Sequence, residues 1–253
     1  MRQVAALAVL GCIAALSSGC GAIGGTGGQV VSYQGYGGTA IVSTGGRTIT
    51  VGQFGSGSCG ATVKAVARES ATRVALFLRF STPRNPPPCP NTAASRITSQ
   101  KIRLRAPLGS RKVVDGRNGR ATAWISARLV LRPTRLPRGY RLTKLIPAAD
   151  LAPAQSPGPA GCTQYYQSPN KASWLEIIQT AGKLPRSETP PGGGPPIRVR
   201  GHPGHASRNV ITWHEDGFTD YIMMIGAQNP QNLTQLLTTQ QLIAIAESAP
   251  QPR

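Results

Sequence analysis

Histidine and carboxylate side chains gather between residues 202 and 216, which makes this stretch the first place to look for metal binding or acid–base chemistry. His202 and His205 are separated by a Pro-Gly pair, and His214 is followed by Glu215 and Asp216. A Pro-Gly spacer gives loop spacing rather than the i,i+4 spacing of a zinc-binding helix, and adjacent carboxylates beside a glycine usually serve a turn. The sequence also lacks the G-x-S-x-G motif of serine hydrolases, the H-E-x-x-H motif of zinc proteases and Walker-type phosphate loops. We therefore expect surface histidines, with no metal, no cofactor and no catalytic residue.

The thiol of Cys20 is the second candidate for chemistry. Arg2 precedes an apolar run that ends at Leu16, and the small residues Ser-Ser-Gly then lead to Cys20. The run is too short to span a bilayer but fits the apolar region of a secretory signal. The segment from Leu16 to Cys20 resembles the lipobox of bacterial lipoproteins. That resemblance implies cleavage after Gly19 and attachment of acyl chains such as palmitate to Cys20; the alternative is an ordinary secretory signal with an incidental cysteine.

Export also determines how the other cysteines are interpreted. Beyond Cys20, the chain contains Cys59, Cys89 and Cys162, an odd number for an oxidising compartment. Cys59 and Cys89 flank a strand-like stretch within one basic region, so we predict a disulfide between them. Closing a loop of about 30 residues would constrain the unfolded chain by about 3–4 kcal/mol. Cys162 is then expected to be unpaired.

Basic residues are segregated along the chain, which carries 28 Lys and Arg against 9 Asp and Glu, a net charge of +19. From Lys64 to Lys144 there are 19 basic and two acidic residues, a net charge of +17, while residues 145–253 carry 7 of each sign. A tethered cationic face would bind anionic lipid or a wall polymer. Alternatively, the basic residues lie on solvated sheet edges, where their charge deters aggregation. Aromatic residues do not alternate with the cations, so no nucleic-acid partner is expected. The residues predicted to bind the anionic surface are Arg73, Arg79, Lys101, Arg103 and Arg105.

Apolar side chains near the C-terminus provide a weaker candidate site. Trp213, Tyr221 and Met223 could line a groove for an apolar ligand, because methionine adapts its shape to varied partners. Core packing between a hairpin and a helix is the alternative use of the same residues.

The elements that must position these residues follow from composition and periodicity. The chain holds 30 Gly and 22 Pro and only 5% aromatic residues, which favours strands joined by turns. Period-two alternation over residues 72–80 and 101–105 predicts strands, and Asp216-Gly217 predicts a type I′ hairpin. Thr238 and Gln241 form the capping box of a final helix. We predict an α+β fold with a signal peptide (1–19), a Gly-rich tether (20–46), a small, disulfide-closed, all-β basic domain (47–133) and an α+β domain that ends in the hairpin and the packed helix (134–253).

Five sequence features follow one another in the C-terminal unit, and a longer motif lies in the basic unit. They are L-P-x-G-Y at 136–140, an apolar strand that ends in Gln at 175–179, R-V-R-G at 198–201, T-W-x-E-D-G at 212–217 and the helix at 237–248, with R-x-P-L-G-x-R-x-V-x-D-G at 105–116 in the basic unit. With these features the C-terminal unit resembles an uncharacterised extracytoplasmic domain shared by bacterial lipoproteins and anti-sigma factors, and the basic unit resembles a companion module of actinobacterial lipoproteins. Related domains are thought to sense or carry lipid-like ligands on a curved sheet, and the resemblance implies no catalytic residues.

Together these features predict a membrane-anchored lipoprotein on the extracytoplasmic face of the cell membrane. Its expected role is non-enzymatic binding at the cell envelope, with an apolar ligand, an anionic ligand or an envelope protein as the partner. A regulatory partner in envelope-stress signalling and an envelope hydrolase with an unrecognised site are the alternatives.

Overall fold

Alternation of apolar and polar residues builds most of the chain into strands. The structure is a computed structural model that describes residues 23–24, 28–55, 61–85, 96–147, 160–182, 194–207, 209–226 and 237–251, with the backbone alone described at 23–24, 53–55 and 96–97. Within these ranges the chain forms sixteen strands in three sheets and one helix. No helix in the described ranges is long and apolar enough to cross a membrane.

The first nine strands form two sheets. The first sheet has the order β1-β2-β6-β5, with β8 parallel to β6, and the second sheet has the order β7-β4-β3-β9, with β9 parallel to β3. Strands β2 and β3 lie within the Gly-rich segment. The strands are β1 (Ile23–Gly24), β2 (Gln29–Gly35), β3 (Ala40–Val42), β4 (Thr48–Gly55), β5 (Thr62–Glu69), β6 (Arg73–Pro83), β7 (Arg96–Arg103), β8 (Lys112–Asp115) and β9 (Trp124–Ser126).

A shared apolar core joins the first and second sheets. Val74 and Leu76 of the first sheet pack with Ile49, Val51 and Ile102 of the second sheet, and all five are buried. Because strand residues alternate between the two faces of a sheet, their immediate neighbours point away from this core. We call that opposite side the outer face of each sheet.

The third sheet is an antiparallel array of seven strands with a helix on one face. Its order is β10-β11-β12-β16-β15-β14-β13. The Asp216-Gly217 turn has φ values of 50° and 80°, as a type I′ hairpin requires. The capping box at Thr238 begins the helix, which packs Leu242 and Ile245 on the sheet. The elements are β10 (Arg141–Ile146), β11 (Gly161–Gln167), β12 (Ser173–Ala181), β13 (Pro196–Val199), β14 (His202–Ser207), β15 (Val210–Glu215), β16 (Phe218–Gly226) and α1 (Thr239–Glu247).

The prediction of an α+β fold is wrong. Strands account for 56% of the structure and helix for 5%, so the protein is mostly β. A capping box marks the nine-residue helix in the sequence, whereas several strands of the C-terminal unit lack regular alternation. Strand β11 buries Thr163 and Gln164, and β14 contains Pro203 and Gly204. The predicted disulfide closure is also without support: the described residues contain no disulfide, Cys162 is free and buried, and Cys59 and Cys89 lie outside the described residues.

Two buried glutamines attach the segment after β9 to the third sheet. The side chain of Gln164 donates a hydrogen bond to the carbonyl of Leu131 at 2.6 Å, and the amide of Gln179 donates to the carbonyl of Leu129 at 3.1 Å. Gln179 also accepts a hydrogen bond from the backbone N–H of Leu131. The two side chains form the hydrogen bonds that a neighbouring strand would otherwise form with the backbone of residues 129–131. Without them these backbone groups would be buried without partners.

Apolar contacts then join the second and third sheets. Ile41 of β3 and Ile125 of β9 point away from the first core and cluster with Val130, Cys162 and Phe218. Part of the outer face of the second sheet is therefore buried against the third sheet.

Candidate functional site

Two aromatic rings and a guanidinium group stack on the outer face of the first sheet. Tyr33 on β2 meets Phe77 on β6 edge to face, with 6.4 Å between the ring centroids. The guanidinium carbon of Arg68 on β5 lies 5.8 Å from the Tyr33 centroid and 5.0 Å from that of Phe77. Both distances fit a cation–π contact. Tyr33 remains 46% exposed, so the stack forms part of the protein surface.

Like charges are paired across the strands on the same face. Lys64 on β5 lies directly opposite Arg79 on β6, and Arg73 on β6 lies opposite Lys112 on β8. Such pairs are destabilising, because cross-strand neighbours are only about 5 Å apart. The Nε atom of Arg79 is buried and has no hydrogen-bond partner among the described residues. We call Lys64, Arg68, Arg73, Arg79 and Lys112, together with Tyr33 and Phe77, the cationic face.

Nearby carboxylates are already occupied. Asp115 is 9% exposed and accepts hydrogen bonds from the backbone N–H groups of Arg117 and Asn118. Glu69, at the end of β5, forms an ion pair with Arg111 at 2.8 Å. Burial opposes ionisation of Glu69, but hydrogen bonds from the Arg105 backbone and from Arg111 hold its pKa below the usual value. Glu69 is therefore paired with a cation outside the cationic face, and Asp115 binds the backbone of the turn that follows β8.

The structure separates the five cations predicted to bind an anionic surface. Arg73 and Arg79 belong to the cationic face, on β6 of the first sheet. Lys101 and Arg103 lie on β7 of the second sheet, on either side of the buried Ile102, and point to the opposite outer face. Arg105 follows β7 and is exposed. The five residues therefore do not form one surface.

Five members of the cationic face are absent from the set predicted from the sequence. Tyr33 lies in the Gly-rich segment predicted to be a tether, Phe77 is only part of a predicted strand, and Lys64, Arg68 and Lys112 enter only through the charge imbalance. The alternation of Lys64, Val66 and Arg68 along one strand was a usable signal, since it places both cations on one side.

Residues predicted to line a ligand groove also lie on opposite sides of a sheet. Trp213 is 2% exposed and packs in the core under the helix, where its indole N–H donates to Glu215 at 3.0 Å. Tyr221 and Met223 pack with Ile178 on the other side of the third sheet. Trp213 pairs with Asp220, so these two side chains share one side of the sheet. Tyr221 is the next residue on β16, and its side chain therefore points to the other side.

A surface groove of about 570 Å³ runs beside the helix. The backbone that approaches the third sheet forms one wall, and the exposed side of the helix forms the other. The volume is within the range of small-molecule sites, but half of the lining is polar or charged. The lining residues are Thr134, Arg135, Leu136, Pro137, Gln241, Ala244, Ile245, Glu247 and Ser248.

A buried cluster of charges lies at the end of the hairpin. The Nε atom of Arg200 lies 2.7 Å from the Oε2 atom of Glu215, and both side chains are nearly inaccessible to solvent. Arg200 also donates to the carbonyls of Ala246 and Ala249 at the end of the helix. Burial opposes ionisation of Glu215, yet hydrogen bonds from Arg200 and Trp213 hold its pKa below the usual value.

Asp220 faces the same cluster without a cationic hydrogen-bond partner. It is 2% exposed, and its Oδ1 atom has no hydrogen-bond partner among the described residues. Burial raises the pKa of Asp220 to about 7, although a hydrogen bond from Gln179 acts to lower it. Burial likewise raises the pKa of the nearby Cys162 thiol to about 12. The adjoining cavity of about 20 Å³ has room for a water molecule and for no organic substrate.

Other predicted chemical residues are dispersed or fall outside the described ranges. His202 is part-exposed, with its Nε2 atom 3.9 Å from the Oε1 atom of Glu215, and His205 is exposed. His214 lies 3.5 Å from the hydroxyl of Thr219. Across the described part of the chain, no three His, Cys, Asp or Glu residues are grouped to hold a metal ion. Cys20 lies outside the described residues.

No protein-family model matches the chain, and no curated protein matches it significantly. The function must therefore be argued from the geometry and charge of the described residues.

Proposed function

We propose that the protein is a lipoprotein, anchored through Cys20 on the extracytoplasmic face of the cell membrane, that binds an anionic partner through its cationic face without catalysing a reaction. One observation carries the binding proposal: five cations and two aromatic rings share one outer face, and the nearest carboxylates are engaged elsewhere. The lipobox-like segment that ends at Cys20 supports the anchor.

The surroundings of Arg79 strengthen the case for an anion. The Nε–H group of Arg79 has lost water and gained no acceptor, which carries a desolvation cost. Opposed cations at Lys64 and Arg79 add repulsion. A phosphate or carboxylate bound at the guanidinium offsets this repulsion, because guanidinium groups form strong, charge-assisted hydrogen bonds with such anions.

Sedimentation with lipid vesicles tests the binding. The mature chain carrying Cys20→Ser has no acyl group, so it reports on the folded part alone. We expect it to bind vesicles that contain phosphatidylglycerol, to bind pure phosphatidylcholine vesicles far less, and to dissociate as salt is raised. Equal binding to both vesicle types, together with no binding to a soluble anionic wall polymer, would remove the anionic partner from the proposal.

The mass of the protein extracted from its own membranes tests the anchor. Loss of residues 1–19 together with the added mass of a diacylglyceryl group is the expected result. Loss of the signal without an acyl adduct would make the protein a freely secreted one and would remove the anchor.

A further inference from the structure

The distance from the proposed anchor to the first sheet is short. Only two residues of chain lie between Cys20 and Ile23, the first residue of β1, so the three residue steps span at most about 11 Å. Ile23 pairs with Val31 on β2, and Tyr33 follows two residues later on the same side of that strand. Acyl chains on Cys20 would therefore hold the edge of the first sheet close to the lipid headgroups.

The two outer faces of the sandwich differ in what covers them. Ile41 and Ile125 bury part of the second sheet's outer face against Cys162 and Phe218. On the first sheet, in contrast, Lys64 and Arg68 are exposed and Tyr33 is 46% exposed. The sheet that begins beside the anchor is thus also the sheet whose outer face is open.

The chemistry of the open face matches that of an anionic bilayer surface. Clusters of about four to eight basic residues beside a membrane attract anionic lipids, and tyrosine is favoured at the boundary between headgroups and acyl chains. The cationic face contains five Lys and Arg residues around Tyr33 and Phe77. Long basic side chains also extend their charged ends to phosphate while their stems cover apolar surface.

We propose that the cationic face lies against the bilayer in which Cys20 is anchored and binds the phosphates of its anionic phospholipids. The inference rests on the proposed function and specifies both its ligand and its orientation. In this arrangement the third sheet faces away from the membrane, because it covers the opposite side of the sandwich.

Lysine accessibility in the anchored protein tests the orientation, with Lys64 and Lys101 as a matched pair. Both are exposed strand lysines, and they point to opposite outer faces of the same protein. The acylated full protein is reconstituted into phosphatidylcholine vesicles with or without phosphatidylglycerol, acetylated with an uncharged reagent and analysed by peptide mass spectrometry. We expect Lys64 to react about fivefold more slowly when phosphatidylglycerol is present, and Lys101 to be unchanged. Equal protection of the two lysines, or protection of Lys101 alone, would overturn the orientation.

Charge-neutralising variants separate this inference from the proposed function. One variant carries Lys64→Gln, Arg68→Gln and Arg73→Gln; its control, with the same loss of charge, carries Lys101→Gln, Arg103→Gln and Arg105→Gln. In the sedimentation assay the first variant should lose about a hundredfold in affinity for phosphatidylglycerol vesicles, and the control less than about threefold.

The outcomes of the variant experiment are distinct. Equal losses would overturn the face assignment and leave general anionic binding intact. A wild-type chain that binds a soluble anionic wall polymer but no phosphatidylglycerol would overturn the lipid ligand and keep the anionic partner. Absence of any anionic preference in the wild type would overturn both proposals. Thermal unfolding of each variant confirms that a loss of affinity does not reflect unfolding.

Discussion

Replacing Asp220 by asparagine should stabilise the protein above neutral pH and leave it almost unchanged in acid. Asp220 is 2% exposed, and one of its carboxylate oxygens has no hydrogen-bond partner among the described residues. Burial raises its pKa from 3.8 to about 7. At about 1.36 kcal/mol for each pKa unit, this difference corresponds to about 4 kcal/mol of free energy of unfolding.

The direction of the pH dependence follows from the protons bound in each state. Well below pH 3.8 the carboxyl of Asp220 is protonated in both the folded and the unfolded chain. Between that value and a pH of about 7, the folded protein keeps a proton that the unfolded chain has released, so stability falls by up to about 1.4 kcal/mol per pH unit. At higher pH the group is ionised in both states and contributes no further change.

Asparagine keeps the shape of the side chain and removes the charge. Asp220→Asn should therefore be more stable than the wild type by up to about 4 kcal/mol at pH near 8, and within about 1 kcal/mol of it at pH near 4. Urea unfolding followed by tryptophan fluorescence at the two pH values measures the difference. Because the two proteins are compared at the same pH, the contribution of the other carboxylates to the free energy of unfolding is the same in both and cancels in the difference.

Asp216→Asn is the matched control for this variant. Asp216 is exposed at the hairpin turn, four residues away, and asparagine tolerates its φ of 50°. We expect a far smaller pH-dependent difference than for Asp220→Asn, because the charge of Asp216 is only a minor cause of the raised pKa of Asp220. If Asp220→Asn destabilised the protein equally at both pH values, Asp220 would be ionised and paired in the folded state, and the argument from burial would be refuted.

Three further predictions concern the buried groups and one close approach. Glu215→Gln should cost about 3 kcal/mol in urea unfolding, because it leaves a buried guanidinium without its counter-charge, and exposed Glu247→Gln should cost less than about 0.5 kcal/mol. Gly35→Ala should cost about 2 kcal/mol, since the added Cβ would overlap a buried carboxylate, whereas Gly45→Ala meets open space and should be neutral. Thiol titration should detect Cys162 only in denaturant, because burial raises its pKa to about 12. Folded Cys162→Ala should therefore show the same number of reactive thiols as the folded wild type.

Local signals in the sequence predicted several elements well. The alternation in residues 72–80 corresponds to β6. The Asp216-Gly217 turn and the capping box at Thr238 also form as expected. Each of these features depends on interactions between residues that are close in the chain, which is why the sequence contains them.

The fold class depended on long-range interactions that local patterns do not contain. Gln164 and Gln179 are buried because they satisfy the backbone of residues 129–131, more than 30 positions away. A buried glutamine in a strand looks like an exposed polar residue until its backbone partner is known. The strands of the third sheet were therefore underestimated, and the helix was given too much weight.

The candidate site shows the same dependence on sheet membership. Arg79 and Lys101 are close enough in the chain to suggest a single basic surface, but β6 and β7 belong to different sheets. Two strand residues share a surface only if they belong to the same sheet and point to the same face of it. Sheet membership is determined by strand pairing, which the spacing of residues along the chain does not reveal.

The position of β6 is relevant to the two interpretations of the basic strands. Cations that deter aggregation are needed on edge strands, where unpaired backbone groups could bind another sheet. Lys64 and Arg68 on β5 fit that role, because β5 is at one edge of the first sheet. Arg79 does not, because β6 lies between β2 and β5 and its backbone is paired on both sides. A partly buried guanidinium opposite a lysine in the centre of a sheet lowers stability and protects no edge, which supports a role for this face in binding an anion.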